Sequence, residues 1–218
     1  MKIHQNVDGG PLFSAREYDI APGTKVTPGQ VVRLVEGLVV PAIAAQTGEI
    51  LGISAEAHPG TPDAFDPRSN GTKICIYDNP GLLFSCKAPI VTASGGTATT
   101  VTATTLGAFA NDDFNGGYLT LIEKAPDSTN TEPIGLTKRI TDYVYTASGT
   151  ISTFTVAKGG AASAGDKYAL FPPVGFSKGN LNDNADSLVL GATAALAIKV
   201  VGRAGLSLIM MAKSHILK

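Results

Sequence analysis

At 218 residues and a formal net charge of −1, the chain can form one large all-β domain or two small ones, and it has no overall field to attract nucleic acid. Hydrophobic residues make up 44% of it and charged residues only 16%, with 25 glycines and 13 prolines, which excludes a coiled coil, a charged helical bundle and an extended disordered chain. Such low charge density fits a surface covered by a partner, and equally a quiet, sparsely charged soluble domain.

Residues 1–17 combine polar residues, a Gly9-Gly10-Pro11 break and an isolated Phe13 with no periodicity, and read as an arm that orders only against another surface. From Tyr18 the pattern changes to short β-branched runs between turn signals, first Pro22-Gly23 and Pro28-Gly29. The run QVVRLVEGLVVPAIA reads as two strands parted at Gly37, because branched side chains suit a pleated surface and Pro41 disfavours a helix. EILGISAEA gives the next strand, and residues 58–71 form a proline-rich loop.

KICIYDNPGLLFSCKAPIV follows as strand, turn, strand. Pro80 and Gly81 favour a type II turn, whereas tight hairpins prefer the primed types. The step is therefore either a corner between sheets or a hairpin, and in a hairpin Cys75 and Cys86 would sit opposite each other. In both cases the cysteines are expected to be free, buried thiols.

Seven of the fifteen residues in 91–105 are Thr, which predicts an exposed hairpin around Gly95-Gly96, with a flexible linker as the alternative. YLTLIE, KRITDYVYTA, ISTFTVAK and KYALFPP continue the series of short strands, with turns at Gly116-Gly117, Ser148-Gly149 and Gly159-Gly160. After Pro172-Pro173 a polar loop leads to LAIKVVG and LSLIMMAKSHIL, two strands separated by Arg203-Ala204-Gly205. A helix over 190–199 competes with the first of them, since alanine is the best helix former. The fold class expected is all-β, with helix below about a fifth of the residues.

The sequence offers little catalytic chemistry. His4, His58 and His215 are isolated and lack the neighbouring ligands a metal site uses. Asn111-Asp112-Asp113, and Asp183 with Asp186, lack the rest of a calcium loop and read as polar turns. No phosphate-binding glycine motif or nucleophile elbow is present, and Lys87 beside Cys86 is weak support for an activated thiol. No enzyme activity, cofactor or metal is expected. Basic residues are scattered without interleaved aromatics, so nucleic acid is not an expected partner. The most membrane-like stretch, 188–211, is interrupted by Lys199 and Arg203 well short of the ~20 apolar residues of a span. The N-terminus lacks a signal-peptide core, so no membrane association and folding in a reducing cytoplasm are expected.

GQVVRLVEGLVVPA, EILGISAEA, a variable loop and KICIYDNPGLLFSCKA together resemble a capsid decoration (cement) protein of tailed bacteriophages. FNGGYLTLIE, KRITDYVYTA and GDKYALFPP are similar in style to extra domains of phage capsid, cement and tail proteins, a larger insertion than compact cement proteins carry. The resemblance implies a small β-barrel or β-tulip-like core domain with an inserted β-rich domain. The division expected is an arm over 1–17, a core of 18–88 plus 176–218, and an insertion over 89–175. It implies a structural virion protein, made in the host cytoplasm, that sits on the outer capsid surface as a homotrimer and contacts the major capsid protein. Lys2, Phe13, Arg16, Tyr18, Phe65 and Arg68 are the expected capsid or subunit contacts. The competing readings are a tail-tube or tail-fibre subunit and a β-sandwich carbohydrate-binding module, the latter weakened by the absence of Trp.

Overall fold

A computed structural model describes residues 2–6, 15–44, 49–61, 72–79, 81–104, 106, 108–157, 159–181, 188–190 and 198–212. The chain opens with strands β1 (Lys2–Asn6) and β2 (Arg16–Asp19). Next come β3 (Val31–Val35), β4 (Leu38–Pro41), β5 (Gly52–Ser54), β6 (Lys73–Tyr77) and β7 (Leu82–Lys87). The middle of the chain holds β8 (Ile90–Thr92), β9 (Gly95–Thr97), β10 (Thr100–Ala103), β11 (Tyr118–Glu123), β12 (Thr137–Thr146), β13 (Ile151–Val156) and β14 (Lys167–Phe171). The last are β15 (Asn180–Leu181), β16 (Leu188–Val189), β17 (Ile198–Ala204) and β18 (Ser207–Ala212). A 3-10 turn over Ala147–Gly149 is the sole helical element among the described residues. The all-β expectation holds. The helix weighed over 190–199 falls mostly outside the described residues, and its end, Ile198-Lys199, is strand.

A five-stranded antiparallel sheet runs β2-β6-β5-β3-β4. Its hairpin turn is Glu36-Gly37, with φ of 52° and 83°, the doubly positive geometry that a two-residue turn needs to follow strand twist. Ile20, Val26, Val32, Val39, Leu51, Ile74 and Ile76 form a compact core for this sheet. The edge strands meet at a single parallel bridge, Ile20 to Val39, and the Ala21 N–H reaches the Val39 carbonyl at 3.1 Å. One bridge is not a ladder, so the sheet curls without closing, and the expected barrel is not formed.

The C-terminal strands pair with the 18–88 portion through β7. β17 and β18 do not enter the curled sheet; they join a separate four-stranded antiparallel sheet, β1-β7-β18-β17. The step at Asn79–Gly81 is the cause. Asn79 Oδ1 accepts the Gly81 N–H at 2.7 Å, and the chain leaves one sheet at β6 and enters another at β7. The corner reading is the one observed, and Cys75 and Cys86 lie in different sheets. Neither forms a disulfide, but only Cys86 is buried; Cys75 is half-exposed on β6.

The supposed arm contributes to both sheets. β1 pairs with β7, and Arg16 and Glu17 begin β2, because each finds an unpaired strand edge within the chain itself.

Residues 90–171 supply every strand of a seven-stranded antiparallel sheet, β8-β14-β11-β12-β13-β10-β9. β13 alternates buried and half-buried residues along its length, the period expected of a sheet with one face on a core. The Thr-rich hairpin is present, but its turn lies at Ala98-Thr99 and Gly95-Gly96 lie in β9. Thr97 Oγ1 accepts the Thr99 N–H at 3.2 Å, so hydroxyls rather than glycines shape this turn.

The main core is shared between sheets. Phe84, Ile198, Leu208 and Met210 of the four-stranded sheet belong to one apolar cluster with Leu119, Tyr143, Phe154 and Phe171 of the seven-stranded sheet. Val31 and Ile53 of the curled sheet join the same cluster.

Beneath the 124–136 and 159–166 loops lies a buried polar layer. Asp166 is fully buried and accepts hydrogen bonds from the Ala125 N–H at 3.0 Å, the Ser163 N–H at 3.1 Å and Asn130 Nδ2 at 2.9 Å. Burial alone would raise its pKa, but these hydrogen bonds outweigh it and hold the carboxyl below its usual range. Beside it Lys138 and Glu132, both buried, form an ion pair, and the Gly160 N–H donates to Glu132 Oε1 at 2.8 Å.

Candidate interaction surface

Two of the six contact residues expected from the sequence converge. β2 lies along β6 with Arg16 opposite Ile76 and Tyr18 opposite Ile74. Strand alternation puts Arg16 and Tyr18 on one face, and Asp78, two residues beyond Ile76, reaches the same side. The Tyr18 hydroxyl donates to Asp78 Oδ2, and Arg16 Nη1 lies 3.5 Å from the same oxygen. The Asp78 side chain is only 7% exposed, whereas that of Arg16 is 69% exposed. Tyr18 packs against the small core, so its hydroxyl and ring fasten the edge strand, and Arg16 is the group of the two that faces solvent. Lys2 lies in edge strand β1 of the other sheet. Phe13, Phe65 and Arg68 lie outside the described residues.

Asp78→Ala is expected to lower stability by about 1–3 kcal/mol, because the Tyr18 hydroxyl loses its acceptor while remaining partly buried. Asp78→Asn retains an acceptor oxygen and should cost less. Urea unfolding of the two variants checks this; an unchanged midpoint for Asp78→Ala would mean that water replaces the carboxylate.

Two tyrosines carry a pH signature. Burial, then the hydrogen bond and charge of Asp78, push Tyr18 from 10.0 up to about 12, and burial with the charge of Asp166 does the same to Tyr168. The folded chain therefore holds protons that the unfolded chain releases near pH 10.0. Stability from this source is complete below that pH and is lost as pH rises towards about 12. Ultraviolet titration should show tyrosines ionising late in the native protein and together after denaturation. Simultaneous ionisation of all six in the native protein would contradict the assignment.

A second surface feature was not anticipated. A cleft of about 160 Å³ opens where the seven-stranded sheet meets β17, lined among others by Tyr118, Phe171, Pro173, Val174, Val200 and Arg203. Tyr118 and Phe171 are cross-strand partners in β11 and β14. The Arg203 guanidinium lies over both rings, its Cζ 4.6 Å from the Tyr118 centroid and 5.4 Å from that of Phe171. In sequence, Arg203 reads as part of a turn. In the fold β17 continues through Ala204 and the turn falls at Gly205-Leu206, which leaves Arg203 on a strand facing the aromatics.

The acidic turn at Asn111–Asp113 is structural. Asn111 Oδ1 accepts the Tyr145 N–H at 3.0 Å, Asp112 Oδ1 accepts Asn115 Nδ2 at 2.7 Å, and Asp113 binds Lys178 Nζ at 2.6 Å. Among the described residues there is no group of three or more side chains able to hold a metal ion, and no helix long and apolar enough to cross a membrane. Large apolar side chains are exposed at scattered positions: Ile43 at 52%, Ile90 at 60%, Val174 at 74% and Leu206 at 55%.

No protein-family model, curated protein or solved structure matches this chain.

Proposed function

We propose that this chain is a capsid decoration protein of a tailed bacteriophage, a structural subunit that binds the outer face of the expanded head and strengthens it. The observation that carries the reading is the position of the segments resembling that family. GQVVRLVEGLVVPA is the β3–β4 hairpin, EILGISAEA contains β5, and KICIYDNPGLLFSCKA is β6, the corner and β7. They make up most of the curled sheet and the strand by which it passes into the next sheet. A body of small sheets suits attachment to a lattice, where weak contacts repeated over many sites produce avidity.

In this reading the protein is a homotrimer at local threefold positions, since closed rotation satisfies every interface at once. The 18–88 and 176–218 portions face the shell and contact the major capsid protein, with Arg16 a solvent-facing candidate for that contact. The 89–175 portion projects outward, carrying the exposed threonines of its hairpin into water.

The test is to add the purified chain to expanded heads that lack decoration. Density at threefold positions in electron micrographs, and a trimer mass by ultracentrifugation, are expected. Attachment to tails, or no attachment to heads, overturns the reading. Protease treatment of decorated heads should cut within 89–175; cleavage confined to 18–88 would reverse the orientation.

A further inference from the structure

A second cation lies beside the cleft at β17. Arg139 on β12 lies directly opposite Tyr118 in the antiparallel register, so the two side chains share a face of the seven-stranded sheet. Gly116, which also lines the cleft, is close enough that a Cβ there would come within 4.0 Å of Arg139 Nη2. Two exposed guanidinium groups thus lie near Tyr118: that of Arg203 stacks on its ring, and that of Arg139 belongs to the residue opposite it across the strands. Neither makes a hydrogen bond or ion pair with a described residue. Three lysines of the seven-stranded sheet and its flanking loop are instead engaged with carboxylates: Lys178 with Asp113, Lys138 with Glu132, Lys167 with Glu123. No carboxylate is among the described residues lining the cleft.

The geometry points to a docking site for an acidic peptide segment of a partner protein, with a carboxylate on the paired arginines and an adjacent apolar side chain in the cleft. The two halves of that occupant follow from the two halves of the site. A guanidinium presents a planar fork of donors that fits a carboxylate, and stacking on Tyr118 and Phe171 fixes its orientation before the ligand arrives. Phe171, Pro173, Val174 and Val200 form an apolar wall around a volume of about 160 Å³, the scale of a side chain rather than of a drug-sized molecule. A bare inorganic anion would meet the guanidiniums and leave this wall unfilled. An apolar peptide would fill it and leave both charges unmatched. The site lies where the seven-stranded sheet meets β17, with Arg139, Arg203 and Val174 exposed at its rim and Phe171 and Val200 buried at its base, and the inference is independent of the capsid reading.

The experiment titrates the full chain with an acetylated Glu-Leu-Glu-Leu peptide, following backbone amide signals by NMR. Shifts at Gly116 and Gly202 that saturate are expected. Arg203→Ala and Arg139→Ala should each weaken binding about tenfold, the scale of one charge-assisted pair. Arg203→Lys should also weaken it, since an ammonium keeps the charge but loses the fork and the stack. Lys73→Ala, on a different sheet, should leave binding unchanged. A Gln-Leu-Gln-Leu peptide should not bind, and added salt should weaken the acidic one. Saturating shifts that survive both arginine-to-alanine changes overturn the assignment, as does no binding at all. If inorganic phosphate or a short oligonucleotide binds as tightly as the peptide, the site is a general anion site and the peptide reading fails. Thermal unfolding of each variant establishes that it is folded; should Arg203→Ala disturb the fold, Arg139→Ala carries the test.

Discussion

Lys138→Ala is expected to destabilise the protein by about 3–5 kcal/mol, the cost of leaving one member of a buried ion pair without its partner. The ammonium and the Glu132 carboxylate are 8% and 6% exposed, and the Gly160 N–H is the other donor to Glu132 Oε1. Burial already pulls the Lys138 pKa down, so the site tolerates charge only while the pair is intact. Replacing both residues at once, Lys138→Met with Glu132→Leu, should cost far less than the single change. Gly159→Ala attacks the same pair from outside, because a Cβ there would overlap both the Glu132 carboxylate and the Lys138 ammonium. Urea unfolding of the three variants orders them. A loss below about 1 kcal/mol for Lys138→Ala would show that water reaches the carboxylate and satisfies it.

Phe114→Ala should have a comparable effect for a different reason. Phe114 is fully buried, and its ring meets Phe109 and Tyr143 edge-on at centroid distances of 4.9 Å and 4.8 Å. It also stacks against Phe176 at 5.2 Å. Removing a fully buried phenyl ring costs about 3–5 kcal/mol, and the rigid neighbours here leave little room for collapse. Phe176 belongs to the segment that hydrogen-bonds to β17, through Gly175 N–H to the Val200 carbonyl at 2.8 Å and Val200 N–H to the Phe176 carbonyl at 2.9 Å. The cavity therefore opens where the seven-stranded and four-stranded sheets join. Because these sheets share one core, the variant should still unfold in a single transition, seen at the same midpoint by circular dichroism and tyrosine fluorescence. Separate midpoints would show that the sheets are independent units.

Strands were the legible part of this sequence. Val31-Val32, Ile74 and Ile76, and the alternation through β13 show their burial in their own residue types, and Glu36-Gly37 marks its turn by composition alone. Neighbours were not legible. A period of two tells which face of β7 is buried, but not that β18 pairs with it, because Leu208 opposite Cys86 satisfies the pattern no better than another apolar strand would. Curling without closure depends on where Ile20 meets Val39, a contact that no local signal encodes.

The surface followed the same division. Alternation sets Arg16 and Tyr18 on one face, but Asp78 joins them only through the register of β2 on β6. Arg203 was hidden by its setting, since Gly202-Arg203-Ala204-Gly205 has the composition of a turn and only the turn at Gly205-Leu206 shows it to be strand. The buried polar layer left no trace in sequence either. Asn130, Glu132, Lys138 and Asp166 look like loop and surface residues until two loops close over them.

The pairing of β7 with β18 has a consequence for how the chain is made. Cys86 and Met210, neighbours across that ladder, are 124 positions apart. At about 5–20 residues per second of synthesis, β7 leaves the ribosome many seconds before β18 exists. β1 can cover one of its edges during that wait, while the other edge stays bare. An edge of unpaired N–H and C=O groups is a template for any strand that arrives first. Nascent chains crowded on one messenger would each present that template, so the hazard for this fold falls during translation rather than in the finished protein.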